Sequence, residues 1–195
     1  MLVPVEWLKE YTDINVSTDV FCEKMIMSGS NLETCTMLGQ GISGVVVGKL
    51  VTIEKHPDAQ KLSVCQVDVG KAELLQIVCG AQNVFEGALV PVALDGAKIH
   101  GPLHGQPKQP EGVTIHKGAL RGVESMGMIC AASELGYEDK VIPVSHRDGV
   151  WILPEDLIPG QDVVSALGLE SAVVDFEITP NRPACLSMLG MARES

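Results

Sequence analysis

Residues 45–83 constrain the fold most. Val45 to Ile53 is rich in β-branched residues, which fit a pleated, half-buried surface. Lys55-His56-Pro57-Asp58 interrupts the run, because Pro57 removes a ladder donor and holds His56 extended. Leu62, Val64, Gln66 and Asp68 then alternate with Ser63, Cys65, Val67 and Val69, which predicts a second strand buried on both faces. Gly70-Lys71 turns the chain, Leu74 to Cys79 returns as a third strand, and Gly80 to Asn83 ends it. A strand, a charged corner and a hairpin are the opening of a small antiparallel barrel.

On the N-terminal side, Pro4 suits the first turn of a helix with Val5, Leu8 and Tyr11, beside Trp7, on one apolar face. Ser17 reads as the cap of a second helix running toward Gly29, with Met25 and Met27 as core filler. Leu32 to Leu38 reads as a short strand. Gly39 to Gly44 spells GxGxxG, but Val45-Val46-Val47 follows where a dinucleotide site needs a helix, so it reads as a linker and domain boundary.

Leu89 to Leu94 is a further strand, stopped by the turn signal Asp95-Gly96. Gly101 to Gly112 reads as an exposed loop. His100 and His104 have zinc-ligand spacing, but Gly101 and Pro102 between them bar a shared helical face. Val113 to Leu120 resumes the barrel, Arg121 to Ser125 turns, and Met128 to Ala131 is a short buried strand. Ser133 is a candidate cap for one helical turn. Asp162 caps a short helix over Val163 to Leu167, Val173 to Ile178 is a strand, and Cys185 to Arg193 starts a helix.

With 46% apolar residues the chain is a packed protein, and no run of about 18 apolar residues predicts a membrane span. Met1 opens no signal-peptide pattern. The six cysteines, at 22, 35, 65, 79, 130 and 185, show no CxxC, which predicts reduced, mostly buried thiols in a cytoplasmic protein. Net charge is −11, so strong non-specific nucleic-acid binding is excluded. The charge is uneven: residues 41–151 hold 10 basic and 12 acidic residues, while the flanks hold 4 and 13. No GxSxG, HExxH or P-loop is present, so no catalytic centre is expected.

HPDAQKL at 56–62, QIVCGAQNV at 76–84 and RGVESMGMICAASELG at 121–136 closely resemble the tRNA-binding OB-fold domain. MLVPVEWLKEYTDI at the start and FEITPNRPACLSMLGMARE near the end resemble the β subunit of bacterial phenylalanyl-tRNA synthetase, and the resemblance covers essentially the whole chain. Ala184 stands where that family usually has an acidic residue. The resemblance implies an α+β fold: a five-stranded OB-fold barrel, residues 40–151, inserted into a small α+β domain made of 1–39 and 152–195. It implies tRNA and a synthetase α subunit as partners in an α2β2 tetramer that charges tRNA with phenylalanine using ATP and Mg²⁺. The family's β chain is several times longer, so a fragment is expected, without catalytic centre or cofactor of its own and without membrane or DNA partners. The alternatives are a stand-alone tRNA-binding chaperone, an appendage of another synthetase, or a mainly structural scaffold in the tetramer.

The candidate tRNA-binding residues are Lys55, His56, Lys61, Asn83, Arg121, Ser125, Met128, Ser133 and Glu134. On the residues alone the 55–61 corner is a solvated turn, Pro57 and Asp58 being good turn residues; the resemblance makes it a binding face, with lysines as point charges for phosphate. Asn83 leans toward a structural role. Arg121 suits a phosphate or a carbonyl of its own turn. Ser133 and Glu134 suit base edges of RNA or a helix cap and a surface charge equally. Aromatic content is 4%, so base stacking is expected to be minor.

Overall fold

The computed structural model describes residues 1–101, 112–138 and 140–195; the predicted 101–112 loop and His104 lie largely or wholly outside them. The chain begins with a strand, β1 (Leu2–Pro4), too short to show alternation in sequence. Pro4 therefore ends a strand and precedes α1 (Val5–Lys9) instead of entering its first turn. Val5 and Leu8 are buried, but Trp7 and Tyr11 are more than half exposed. The predicted apolar face is narrower because the helix stops at Lys9 and leaves Tyr11 beyond its end.

In α2 (Thr18–Met27) Phe21 and Met25 point inward at i, i+4 spacing, whereas Met27 is 82% exposed. Ser17 precedes this helix in extended conformation, but its hydroxyl makes no capping bond. β2 (Leu32–Met37) follows, then the long β3 (Ser43–Lys55). In β4 (Ser63–Asp68) Cys65 and Val67 are buried and Val64 and Gln66 half-buried, so one face is covered, not both. β5 (Leu75–Cys79) completes the hairpin.

β6 (Leu89–Ile99) runs straight through the Asp95-Gly96 signal. Gly96 sits at φ +84, its N–H donates to Ile115 O at 2.8 Å, and the Asp95 carboxylate accepts from Lys117 N–H at 3.0 Å. The residues that read as a turn are an irregularity that the strand absorbs. The stretch expected as one strand divides into β7 (Val113–Thr114) and β8 (Gly118–Leu120). Arg121-Gly122 is a two-residue turn into β9 (Val123–Ser125), so part of the predicted turn is strand, and β10 (Gly127–Ile129) follows. Ser133–Leu135 is a single 3-10 turn entered from Ala132, with Ser133 inside it instead of capping it. α3 (Val163–Ala166) is capped as predicted, Asp162 accepting from Val164 and Ser165 N–H. β11 (Ala172–Phe176) and α4 (Met188–Glu194) end the chain.

Two compact units result, 1–40 with 168–195, and 41–167. In the smaller, β1, β11 and β2 form an antiparallel sheet in that order. Val3, Leu8, Phe21, Met25, Val174, Phe176 and Met191 fill its core. Arg182 ties the two ends of the chain, donating to Gly29 O at 3.0 Å and Ser30 Oγ at 2.9 Å and pairing with Glu194. Ala184 is exposed in a 3-10 turn.

In the larger unit the antiparallel order is β10-β6-β3-β4-β5, with β7 added on β6 and β8–β9 a separate hairpin. Its core includes Leu50, Cys65, Val67, Ile77, Val90, Val92 and Ile129. A Cβ on Gly48 would stand 2.5 Å from a Val92 methyl, so β3 needs glycine there to pack. The α+β fold with antiparallel sheets is as expected; among the described residues no ladder joins the edges β5 and β10, so where a five-stranded OB-fold barrel was expected the pairing is an open path. Individual bonds bridge the gap: Met126 N–H to Gln76 O at 2.8 Å, and Gln76 Nε2 to Glu124 O at 2.9 Å.

Residues 152–167, expected with the tail, pack in the larger unit. Leu153 N–H donates to Leu89 O, Val47 N–H to Gln161 O and Gly160 N–H to Val47 O, each at 2.8 Å. These bonds satisfy a backbone that the sequence pattern left without partners. Among the described residues no helix is long and apolar enough to cross a membrane.

Candidate nucleic-acid interface

The corner predicted at 55–62 is built around the imidazole of His56, which is 4% exposed. Its backbone N–H donates to Leu62 O at 3.1 Å. Nδ1 accepts the Asp58 N–H at 3.1 Å, so a neutral ring carries its proton on Nε2, which donates to Leu120 O at 3.1 Å. His56 thus joins the end of β3 to the start of β4 through its backbone N–H, and to the β8–β9 hairpin through its buried side chain. Gln82 Nε2 adds a bond to Lys61 O at 3.2 Å.

These bonds bring three predicted cations together. Lys55 precedes His56, Lys61 precedes Leu62, and Arg121 follows Leu120. All three are exposed, and among the described residues none of them is in an ion pair. Arg121 has φ +48, the only positive φ of a non-glycine among the described residues. With Gly122 at φ +86 it fits a tight hairpin turn, a position where Asn, Asp or Gly folds with least strain.

The other candidates face inward or lie elsewhere. Ser125 is 5% exposed; its hydroxyl accepts from Val78 N–H at 3.1 Å and donates to Gly127 O at 2.9 Å. Asn83 clamps one residue, donating to Val150 O at 2.8 Å and accepting from Val150 N–H at 3.0 Å. Gly149 lies so close that a Cβ there would meet Asn83 Oδ1 at 2.2 Å. The buried Glu134 carboxylate accepts the Ala131 N–H at 2.7 Å. Burial first, and then the Glu134 charge, hold the Cys130 thiol well above the ordinary range. Met128, in edge strand β10, and Ser133 are half-buried.

Two side chains escaped the sequence reading. Gln76 opens the QIVCGAQNV block and Gln82 lies within it, and each amide bridges to another segment. The only signal was a pair of polar residues beside a buried strand. Phe85 is 56% exposed and lines a cleft of about 590 Å³ with Lys49, Ile152 and Pro159. Among the described residues no three His, Cys, Asp or Glu side chains cluster to hold a metal ion.

Residues 45–162 match the family model described as "Putative tRNA binding domain". Over all of its length the chain is 47% identical to the phenylalanine–tRNA ligase β subunit of Clostridium acetobutylicum and 46% identical to that of Clostridium tetani. That of Streptococcus pneumoniae is 44% identical over 194 residues. The chain spans 23% of the length of these relatives. A solved methionyl-tRNA-synthetase-related protein from Pyrococcus horikoshii aligns over 60% of this chain and 85% of that one at 21% identity, with a TM-score of 0.37, a likeness too loose to decide anything. With more than half of its residues matched by the family model, the chain belongs to the tRNA-binding domain family, and over its full length it is similar to phenylalanine–tRNA ligase β subunits.

Proposed function

We propose that this chain binds tRNA through the corner that carries Lys55, Lys61 and Arg121, as part of a phenylalanine–tRNA ligase β subunit. The observation that carries the reading is the gathering of three exposed cations around one buried histidine, with Arg121 in a backbone conformation that favours another residue. Three phosphate contacts suit an acidic protein, because they supply local attraction without a basic surface. In this reading residues 41–167 act as an OB-type barrel inserted into the smaller unit, closed by the bonds of Gln76 and Ser125. The whole ligase would charge tRNA with phenylalanine using ATP and Mg²⁺, with an α subunit as partner; no catalytic step is assigned to this chain.

Titrating the 195-residue chain against tRNA at several salt concentrations tests the reading. A slope of log affinity on log salt of about −2 to −3 is expected for three contacts at roughly −0.7 to −0.9 each. No detectable binding at low salt overturns it. A scaffold role is favoured instead by the exposed Leu2, Trp7 and Met27 of the smaller unit, and the same null result would support it.

A further inference from the structure

We infer that His56 is a positioning residue that sets the Arg121 turn against the Lys55–Lys61 corner, and that it is not itself an RNA ligand; this rests on the reading that the corner binds tRNA. Both ring nitrogens are occupied by backbone groups, and the side chain is buried, so no imidazole N–H remains for phosphate. The two bonds have different reach. The Asp58 N–H bond is local, two residues on, and spaces the turn between Lys55 and Lys61. The Leu120 O bond spans 64 residues and fixes the hairpin that carries Arg121. A neutral side chain contributes no counterion release, so any salt dependence lost with His56 must be lost through the cations it places.

His56→Asn separates the two bonds. An asparagine amide oxygen accepts an N–H two residues on, as in an Asx turn, but is too short to reach Leu120 O. The variant should keep the corner and release the hairpin. The test is a double-mutant cycle of His56→Asn and Arg121→Ala in the full chain, with a phenylalanine-accepting tRNA transcript as probe. Alongside it run hydrogen exchange over residues 118–125 and long-range ¹⁵N–¹H spectra of the wild-type imidazole. Each single variant should lower the salt slope by about one unit, and the double variant by about one, not two. Spectra should show the proton on Nε2, and hairpin amides should exchange faster in His56→Asn. Additive losses, a proton on Nδ1, or unchanged hairpin exchange would overturn the inference. If Arg121→Ala alone leaves affinity and slope untouched, the RNA reading of that residue fails. The positioning role is then decided by the exchange and tautomer data: faster hairpin exchange with the proton on Nε2 supports it, and either opposite result rejects it.

Discussion

Arg121→Asn should move stability and binding in opposite directions. Arginine at φ +48 occupies the left-handed region, which costs an ordinary L-residue about 1 kcal/mol, whereas asparagine visits it more easily. Relief of part of that strain should stabilise the chain by roughly 0.5–1 kcal/mol, raising the melting temperature by about 2–4 °C at most. On the proposed tRNA-binding reading, the same substitution should also remove one phosphate contact. At a salt concentration of about 50 mM, a loss of roughly 0.8 in slope corresponds to about tenfold weaker tRNA binding. Urea denaturation gives the first quantity, with an unchanged m-value as the check that only stability moved. Filter binding across salt gives the second. A stabilised variant that binds as tightly as wild type would remove Arg121 from the interface. A destabilised variant would mean that the guanidinium holds the hairpin, and the argument from backbone strain would fail.

Ser125→Ala should cost about 1–3 kcal/mol in urea melts, because it leaves the buried Val78 N–H without its acceptor; a loss below 0.5, on the order of a surface change, would contradict the bridging role. Burial pushes the Cys65 thiol up to about 11 and the Cys22 thiol up to about 12 from an ordinary 9.0. Raised values favour the protonated form in the folded state, so the stability they lend is complete below about pH 9 and lost as pH rises toward 11. Melts at constant ionic strength should therefore show a plateau near neutral pH and a decline above 9, smaller in Cys65→Ser relative to its own neutral value; a flat profile would count against buried thiols.

The sequence made β3 to β5 legible because alternation, a proline and a glycine turn agree there on one reading. It misled at Asp95-Gly96, where the pair that usually ends a strand is bridged by bonds from Ile115 and Lys117, about 20 residues away. The boundary near 152 was misplaced for a similar reason, since Val150 to Leu153 carries no turn signal that reveals pairing with Leu89. At the site, His56, Asn83, Ser125 and Glu134 were visible as polar residues in the three blocks that resemble the tRNA-binding domain, but their direction was not. The bonds that turn the first three inward span 64, 67 and 47 residues, and such pairings depend on tertiary packing, not on local pattern. Lys55 and Lys61 were legible as cations of one corner, and it is the long-range His56 bond to Leu120 O that sets the Arg121 turn beside them.

The proposed function requires that tRNA bind at this corner through charge. Its most direct test replaces Lys55, Lys61 and Arg121 together with alanine, confirms folding by circular dichroism, and measures tRNA affinity across salt. The slope of log affinity on log salt should fall by about two to three units, and little binding should remain. A folded triple variant with wild-type affinity and slope would contradict it.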